Sequence, residues 1–428
     1  FEKEGSDAWF MRDVKEFLPE EFSCASCAGK DFLKETDILD VWFESGASHQ
    51  AVLSEDQRLM FPADLYLEGS DQHRGWFQSS LLVSMANHKK PPFKAVLTHG
   101  FVVDSQGRKM SKSLGNVISP QDMVKKYGSD IVRLWVASCD YHDDIRISDE
   151  IMARCADTYR KIRNTIKYLL GNLYDFDYRT HHVPYTKLLE IDRWALSALA
   201  RLCQEITDAY ETYEFHRIYR AVHNFCVKDM SSFYLDILKD RLYTSKSNSH
   251  PRRSAQTVLY HILEVLVKAT APVLAHTSDE AWGYLKAQAQ EKSVHLSSWP
   301  VIDASWFDQT LEARWSSIFG VREKVLLSLE EARGQGKIGT SLEASVSIEV
   351  KDQTLYALLK EYEKELPFIC IVSAVELRRA DTPMEEAFFV KVERANGQKC
   401  RRCWNYSESV GINEEHPTIC SRCTEILL

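Results

Sequence analysis

Gly107-Arg108-Lys109-Met110-Ser111-Lys112-Ser113-Leu114-Gly115-Asn116 puts two lysines three residues apart on a loop flanked by glycines. Two such ammonium groups can grip a polyphosphate, neutralising the charge that builds as an α-phosphate is attacked and pyrophosphate departs. A bare Lys-x-x-Lys is usually no more than a solvated basic turn. Context changes the reading here, because the loop follows two predicted strands, the position at which open α/β sheets present ligand loops.

Those strands are Leu65-Tyr66-Leu67, expected to be buried, and a second region from Ala95 to Val103. Between them Ser70 or Asp71 can cap a helix that carries Trp76, Leu81 and Met85. Asp104-Ser105-Gln106-Gly107 reads as a turn, and Ser119-Pro120 as the N-cap and first residue of another helix. From Asp64 to Ser148 this alternation implies a parallel sheet.

Upstream, residues 1 to about 60 are mixed and turn-rich, with Cys24 and Cys27 and the run Asp40-Val41-Trp42-Phe43, and no autonomous fold is evident. Downstream of about residue 150 the strand signals stop. Cys155, Tyr159, Ile162, Ile166 and Leu169 recur at helical spacing, with Arg154, Lys161 and Lys167 on other faces. Leu199, Leu202, Ile206, Ala209 and Tyr213 repeat the stripe, as do Val258, Ile262, Val265 and Leu266, with Pro272 ending or kinking that helix. The stretch 244–254 reads as a connecting loop. After a further helix from about residue 316, the strict alternation of Ala344-Ser345-Val346-Ser347-Ile348-Glu349-Val350 marks a half-buried strand in a small α/β unit.

With 428 residues, 44% of them hydrophobic and 11% aromatic, the chain has material for two or three packed units and the composition of an ordinary globular protein. No apolar run reaches membrane-spanning length. The net charge of −9 argues against a wholly basic nucleic-acid binder but leaves room for a local basic face. Six of the eleven cysteines stand in Cys-x-x-Cys pairs, which fits metal sites in a reducing cytoplasm rather than disulfides.

Leu67-Glu68-Gly69-Ser70-Asp71-Gln72-His73-Arg74-Gly75-Trp76-Phe77 is a strand end turning into a helix. Glu68 at the carboxyl edge of a sheet can hold an α-ammonium group or ribose hydroxyls, while Gly69 lets a ligand approach the backbone. His73 is better suited to packing or positioning than to acid-base work, and Asp71 can serve either as a cap or as a ligand contact. Cys400-Arg401-Arg402-Cys403 and Cys420-Ser421-Arg422-Cys423 can close four thiolates around one structural Zn²⁺. With Lys399, Arg401, Arg402 and Arg422 around it, and Trp404 able to stack on a base or pack on the knuckle, this module is a candidate RNA contact. Cys24-Ala25-Ser26-Cys27 is a single hook with no partner pair near it in sequence.

The string Lys109 to Ser113 matches the second signature of the class I aminoacyl-tRNA synthetases. Glu68 to Phe77 resembles the adenylate segment of the isoleucyl family, and Asp40 to Gly46, Gly336-Lys337-Ile338-Gly339 with Leu342-Glu343-Ala344, and the cysteine tail are similar to its bacterial form. The resemblance runs from about residue 36 to the end. It implies an α/β plus α architecture in six parts: a remnant of an insertion region (1–60), the second half of a Rossmann-type nucleotide-binding domain (61–150), a stem-contact helical linker (151–184), a helical anticodon-binding bundle (185–315), a small α/β junction (316–395) and a C-terminal zinc knuckle (396–428).

It further implies that Lys112 binds ATP with Lys109 supporting it, and that Glu68, Gly69, Asp71 and Gln72 line the isoleucyl-adenylate pocket. Cys400, Cys403, Cys420 and Cys423 hold one structural zinc. ATP enters with Mg²⁺, and the partners are isoleucine, ATP and tRNA(Ile), with no membrane, for a cytoplasmic monomer. The chain contains no His-x-Gly-His string, the other class I signature, and no text of an editing domain. It therefore reads as the C-terminal part of an incomplete chain, inactive and unable to proofread alone. Two alternatives stand beside this: a stand-alone, non-catalytic tRNA-binding zinc module, or a valyl- or methionyl-type synthetase with the same loop.

Overall fold

The computed structural model describes residues 1–285, 291–380 and 386–428, which form two compact units. Phe1–Phe101 with His142–Asp144 make the first, and Val102–Tyr141 with Ile145–Leu428 the second.

In the first unit α1 (Ala8–Met11) is a single turn. The aromatic run that showed no evident fold in sequence is a helical turn, α2 (Val41–Gly46), because the Asp40 carboxylate accepts from the N–H groups of Trp42 at 2.9 Å and Phe43 at 3.2 Å. Strands β1 (Ala63–Gly69) and β2 (Phe93–His99) pair in parallel, Ala63 beside Phe93 through Gly69 beside His99, and α3 (Trp76–His88) connects them. This is the expected parallel unit, with three differences. Tyr66 alone of the Leu65-Tyr66-Leu67 trio is buried, because it faces α3 and stacks on Trp76 at 4.2 Å, while Leu67 points the other way and is 51% exposed. Neither Ser70 nor Asp71 caps α3. The chain first makes a 3-10 turn over Ser70–Arg74, and it is Gln72 whose side-chain oxygen accepts from the Trp76 N–H, at 3.1 Å. Third, the second strand region is broken: at Gly100 a Cβ would lie 2.5 Å from the Asp143 backbone, and the Phe101 N–H donates to Asp144 at 2.7 Å.

The second unit opens with β3 (Val102–Val103), parallel to the later β4 (Ile145–Arg146), and between them lie α4 (Pro120–Tyr127) and α5 (Ser129–Ser138). The helices α6 (Asp149–Asn172), α7 (Tyr178–His181), α8 (Glu190–Glu211), α9 (Phe215–Asn224), α10 (Leu235–Thr244), α11 (His250–Thr270), α12 (Ala275–Tyr284) and α13 (Gln309–Gly334) follow, with a π-helical segment over Phe225–Tyr234. The amphipathic stripes read from sequence lie on α6, α8 and α11. Sixteen of the 21 residues of α11 are buried, which makes it the centre of the bundle rather than a surface helix.

The core does not respect the boundaries drawn from sequence. Leu134 and Ala137 of α5 and Ile162, Ile166 and Leu169 of α6 share one apolar cluster with α8 and α11, so the segment 102–141 and the expected linker are built into the helical unit. The cluster continues into β5 (Ala344–Val350), whose residues alternate buried and half-buried as its pattern requires. Next come α14 (Gln353–Glu361), α15 (Leu366–Cys370), β6 (Ala374–Arg379) and β7 (Phe388–Arg394), with β5 central, parallel to β6 and antiparallel to β7. The tail has its own small core of Cys400, Val410, Ile419, Cys420 and Cys423, with the ribbon β8 (Gln398–Lys399) and β9 (Tyr406–Ser407) and the helix α16 (Ser421–Leu427). No described helix is long and apolar enough to cross a membrane.

One buried carboxylate in the bundle core is saturated with donors. Fully buried Asp192 on α8 accepts from Tyr234 at 2.7 Å, from both terminal nitrogens of Arg241 at 2.5 and 3.1 Å, and from Ser254 at 2.5 Å, tying α8, α10 and α11 together. His261 on α11 sits among the rings of Tyr178, Tyr260 and Trp306, and burial holds its pKa down at about 4. An imidazole whose folded pKa lies below the ordinary value costs stability as pH falls, since the unfolded chain takes the proton first. Denaturant melts should therefore lose up to about 1.4 kcal/mol per pH unit from this group between about pH 6.5 and 4. In a His261→Gln variant that part of the slope should disappear; an identical slope would place the effect elsewhere.

Candidate active site and metal centre

Glu68 and Gly69 end β1 at its carboxyl edge, paired with Thr98 and His99, and Glu68 is exposed there. Gly69 keeps the edge open: a Cβ there would come within 2.6 Å of an Asp71 carboxylate oxygen and push that side chain aside. Asp71, exposed, also accepts from the Gln72 amide at 3.2 Å. The strand end thus gathers Glu68, Gly69, Asp71 and Gln72 at one edge. His73 lies edge-on to Phe77 at 5.7 Å, a packing contact.

The run Asp40–Gly46 is brought to the same edge. Trp76 donates its indole N–H to the Ser45 carbonyl at 2.9 Å, Gly46 is pressed against Ser79, and a Cβ on Gly75 would meet the Trp42 ring at 2.8 Å. Trp42 is a wall of this edge that the sequence did not single out; its signal was an aromatic run directly after a capping aspartate.

Lys109 and Lys112 belong to the second unit, on the loop that leaves β3. Both lysines are exposed, while Met110 between them packs with Ile118, Met123 and Tyr127 onto the apolar cluster of Ile131, Trp135, Ile147, Met152 and Cys155. The loop is therefore anchored at its middle and charged on its outside. Lys112 opens a short 3-10 turn, Lys112–Leu114, in which Ser111 Oγ accepts from the Leu114 N–H.

Two residues that sequence reasoning passed over close the ends of the loop. Asp104 accepts from the N–H groups of Gln106 and Arg108, both at 2.9 Å, from the Arg108 side chain at 2.8 Å and from the Asn116 amide at 3.0 Å. Asn116 accepts from the Ser111 N–H at 2.9 Å and donates to the Lys109 carbonyl at 3.4 Å. The Asn116 amide and the N–H groups of Arg108 and Gln106 hold the Asp104 carboxyl far below the usual carboxylate range. Asn116→Ala removes bonds at both ends of the loop and leaves both lysines in place. If the loop binds ATP, this should raise KM for ATP by about 30- to 150-fold, for two to three lost bonds at roughly 1 kcal/mol each; an unchanged KM would show that the clamp does not position it.

The sulfur atoms of Cys400, Cys403, Cys420 and Cys423 all lie within 4.8 Å of one another, Cys403 and Cys420 at 3.8 Å. A Zn–S bond of about 2.3 Å in a tetrahedron asks for sulfurs about 3.8 Å apart, so the four thiols fit one Zn²⁺ with no position left open. Burial disfavours ionisation of Cys400, but N–H groups of Cys403, Cys420 and Arg402 outweigh it and bring the thiol down to about 6. Burial pushes Cys403 and Cys423 up, opposed by Arg422 and Arg402 respectively. Arg422 also makes a bidentate pair with Asp240 of α10 at 2.7 and 2.8 Å, which docks the module on the bundle. Trp404 is 61% exposed with the Lys399 ammonium 5.4 Å from its ring, so it presents a face to solvent rather than filling the knuckle.

Residues 1–148 match the family of tRNA synthetases class I (I, L, M and V), residues 192–348 the anticodon-binding domain of tRNA ligase, and residues 397–426 the zinc finger found in FPG and IleRS. The chain belongs to the class I aminoacyl-tRNA synthetases. Within that class it is similar along its whole length to isoleucine–tRNA ligases. It is 52% identical to that of Carboxydothermus hydrogenoformans over 433 residues, covering 100% of this chain and 47% of that protein. With that of Syntrophotalea carbinolica it shares 52% over 432 residues, 100% and 46%, and with that of Geobacter sulfurreducens 51% over 425 residues, 98% and 46%. The chain thus spans about half the length of the curated relatives it matches. A solved ternary complex, Agrobacterium radiobacter K84 agnB2 LeuRS–tRNA–LeuAMS, shares the fold with a TM-score of 0.54 at 23% identity, over 67% of this chain and 36% of that one.

Proposed function

We propose that this chain supplies the C-terminal part of an isoleucine–tRNA ligase, a cytoplasmic monomer that joins isoleucine to tRNA(Ile) at the expense of ATP. The observation that carries the reading is the clamped loop, which holds Lys109 and Lys112 outward on an apolar anchor. In the first step the isoleucine carboxylate attacks the α-phosphate of ATP and pyrophosphate leaves. Lys112, supported by Lys109, stabilises the charge that develops on the phosphates. Mg²⁺ bound with the ATP would share that charge. Glu68 at the strand edge is suited to the adenylate, with Gly69, Asp71 and Gln72 around it; Gln72 also caps α3, so its role is in part structural. In the second step the terminal ribose of the tRNA takes the aminoacyl group.

The tRNA side of the reading rests on the helical bundle and the zinc module. A cleft of about 380 Å³ beside the knuckle is lined by Trp404, Arg402, Tyr243 and Phe368, a set able to hold an unstacked base. Two cations of α6 are engaged in surface pairs, Arg154 with Glu150 and Lys161 with Asp157, which exchange for phosphate at little cost.

Amino-acid-dependent ATP–pyrophosphate exchange by the complete polypeptide tests the reading. Isoleucine should support exchange far better than valine or methionine, and a strong preference for either of the latter would overturn the assignment. Absence of exchange with every amino acid, together with retained tRNA(Ile) binding, would favour a non-catalytic tRNA-binding module.

A further inference from the structure

His49 follows α2 in the first unit and is buried to 1% exposure, and that burial holds its pKa below the ordinary histidine value, so the ring is neutral at physiological pH. Its Nδ1 stands 2.9 Å from the Gly46 carbonyl. A carbonyl only accepts, so the proton of the neutral ring sits on Nδ1 and is donated to Gly46. Ser80 Oγ lies at 3.5 Å from the same nitrogen, and among the described residues no polar group meets Nε2. The other neighbours are rings: His49 stacks on Phe61 at 5.6 Å and lies edge-on to His88 at 5.8 Å. Phenylalanine would fill this space without the cost of burying a polar ring. What the imidazole adds is one N–H aimed at Gly46.

Gly46 is the last residue of α2, where helix carbonyls run out of intrahelical partners. Two neighbouring carbonyls are taken there from different sides, Ser45 by the indole N–H of Trp76 on α3 at 2.9 Å and Gly46 by His49. Gly46 fits against α3 without room for a side chain, since a Cβ would come within 2.9 Å of the Ser79 backbone carbon. Near the start of the same helix is Trp42. A Cβ on Gly75 would meet the Trp42 ring at 2.8 Å and Gln72 Oε1 at 2.6 Å, so ring and amide are in register across one glycine. A helix of six residues has too few internal bonds to hold its own place. The position of Trp42 therefore follows the anchors at the far end of α2.

We propose that His49 is a positioning residue for the isoleucine pocket: by holding the Gly46 carbonyl it fixes α2, and through α2 the Trp42 ring beside Gln72. The inference rests on the assignment of that strand edge to isoleucyl-adenylate. His49 acts through the backbone and touches no reacting atom. Loss of its N–H weakens the hold on isoleucine and leaves ATP, which the lysine loop serves, unaffected.

Two substitutions separate the N–H from the ring. His49→Phe keeps the ring and removes the donor, whereas His49→Asn keeps a donor, the amide Nδ2 in the place of Nδ1, and removes the ring. In isoleucine-dependent pyrophosphate exchange by the complete polypeptide, His49→Phe should raise KM for isoleucine about fivefold, the factor that corresponds to one neutral hydrogen bond, with KM for ATP unchanged. His49→Asn should return KM towards the parent although it melts at a lower temperature. A residue that only fills the core would give the reverse order, with phenylalanine kinetically like the parent and asparagine impaired, and that result would overturn the proposal. Hydrogen–deuterium exchange of the peptide covering residues 40–50 reads the same point without catalysis: it should be several-fold faster in His49→Phe and parental in His49→Asn. Exchange unchanged in His49→Phe would likewise refute it. A parent that activates no isoleucine would sink the pocket assignment and this proposal together; a parent that does, with KM for isoleucine unmoved in His49→Phe, would sink this proposal alone.

Discussion

Lys112→Ala should lower kcat for isoleucine-dependent ATP–pyrophosphate exchange by about 10²–10³-fold, the loss typical of removing one preorganised donor to a developing charge. The backbone of the loop does not depend on the ammonium. Ser111 is held by Asn116 and by its own bond to Leu114, Met110 is seated in the apolar cluster, and the stem is closed by Asp104. Alanine therefore removes charge and leaves geometry, so KM for isoleucine should change little. Lys112→Arg should recover only part of the rate, because a planar guanidinium does not sit where a point charge did. Steady-state exchange on the complete polypeptide measures this. An alanine variant within a factor of two of the parent would remove Lys112 from the reaction, whatever the resemblance implies.

Cys420→Ser should take the zinc content of the purified chain from about one per chain to less than a tenth of that, since an intact four-thiolate site contributes roughly 10–16 kcal/mol of apparent binding energy. Cys420 is both a proposed zinc ligand and the N-cap residue of α16, and its buried neighbours Val410, Ile419, Cys400 and Cys423 make up a core too small to hold by itself. The tail from about residue 396 should become sensitive to protease. The helical bundle should keep its own melting transition, because its core is a separate cluster. A variant that keeps its zinc, or one that melts throughout, would show that the tail is not the independent module described.

Much of the fold is legible in local sequence pattern. The period-2 run Ala344–Val350 can be nothing but a strand with one buried face, and it is the central strand of its sheet. The stripes of α6, α8 and α11 announce helices, and the spacing of the last four cysteines announces the metal centre. What pattern hides depends on partners distant in sequence. Trp42 meets Gly75 only once α2 packs on α3, and Asp104 reaches Asn116 only when the loop between them folds back. The segment 102–141 joins the helical unit because the inner face of α5 finds its apolar complement there. Ser70 and Asp71 look like caps by composition, yet the intervening 3-10 turn puts Gln72 in reach of the first free N–H.

The two-lysine loop shows the division most clearly. By itself the sequence determined its chemistry: two ammonium groups three apart, glycines on either side, and the pattern of a known signature. Only the tertiary structure decided that the loop is a braced platform, for the physical reason that a carboxylate at one end and an amide at the other saturate its backbone while a methionine pins its centre. Charge is written residue by residue, but restraint comes from contacts that only folding makes.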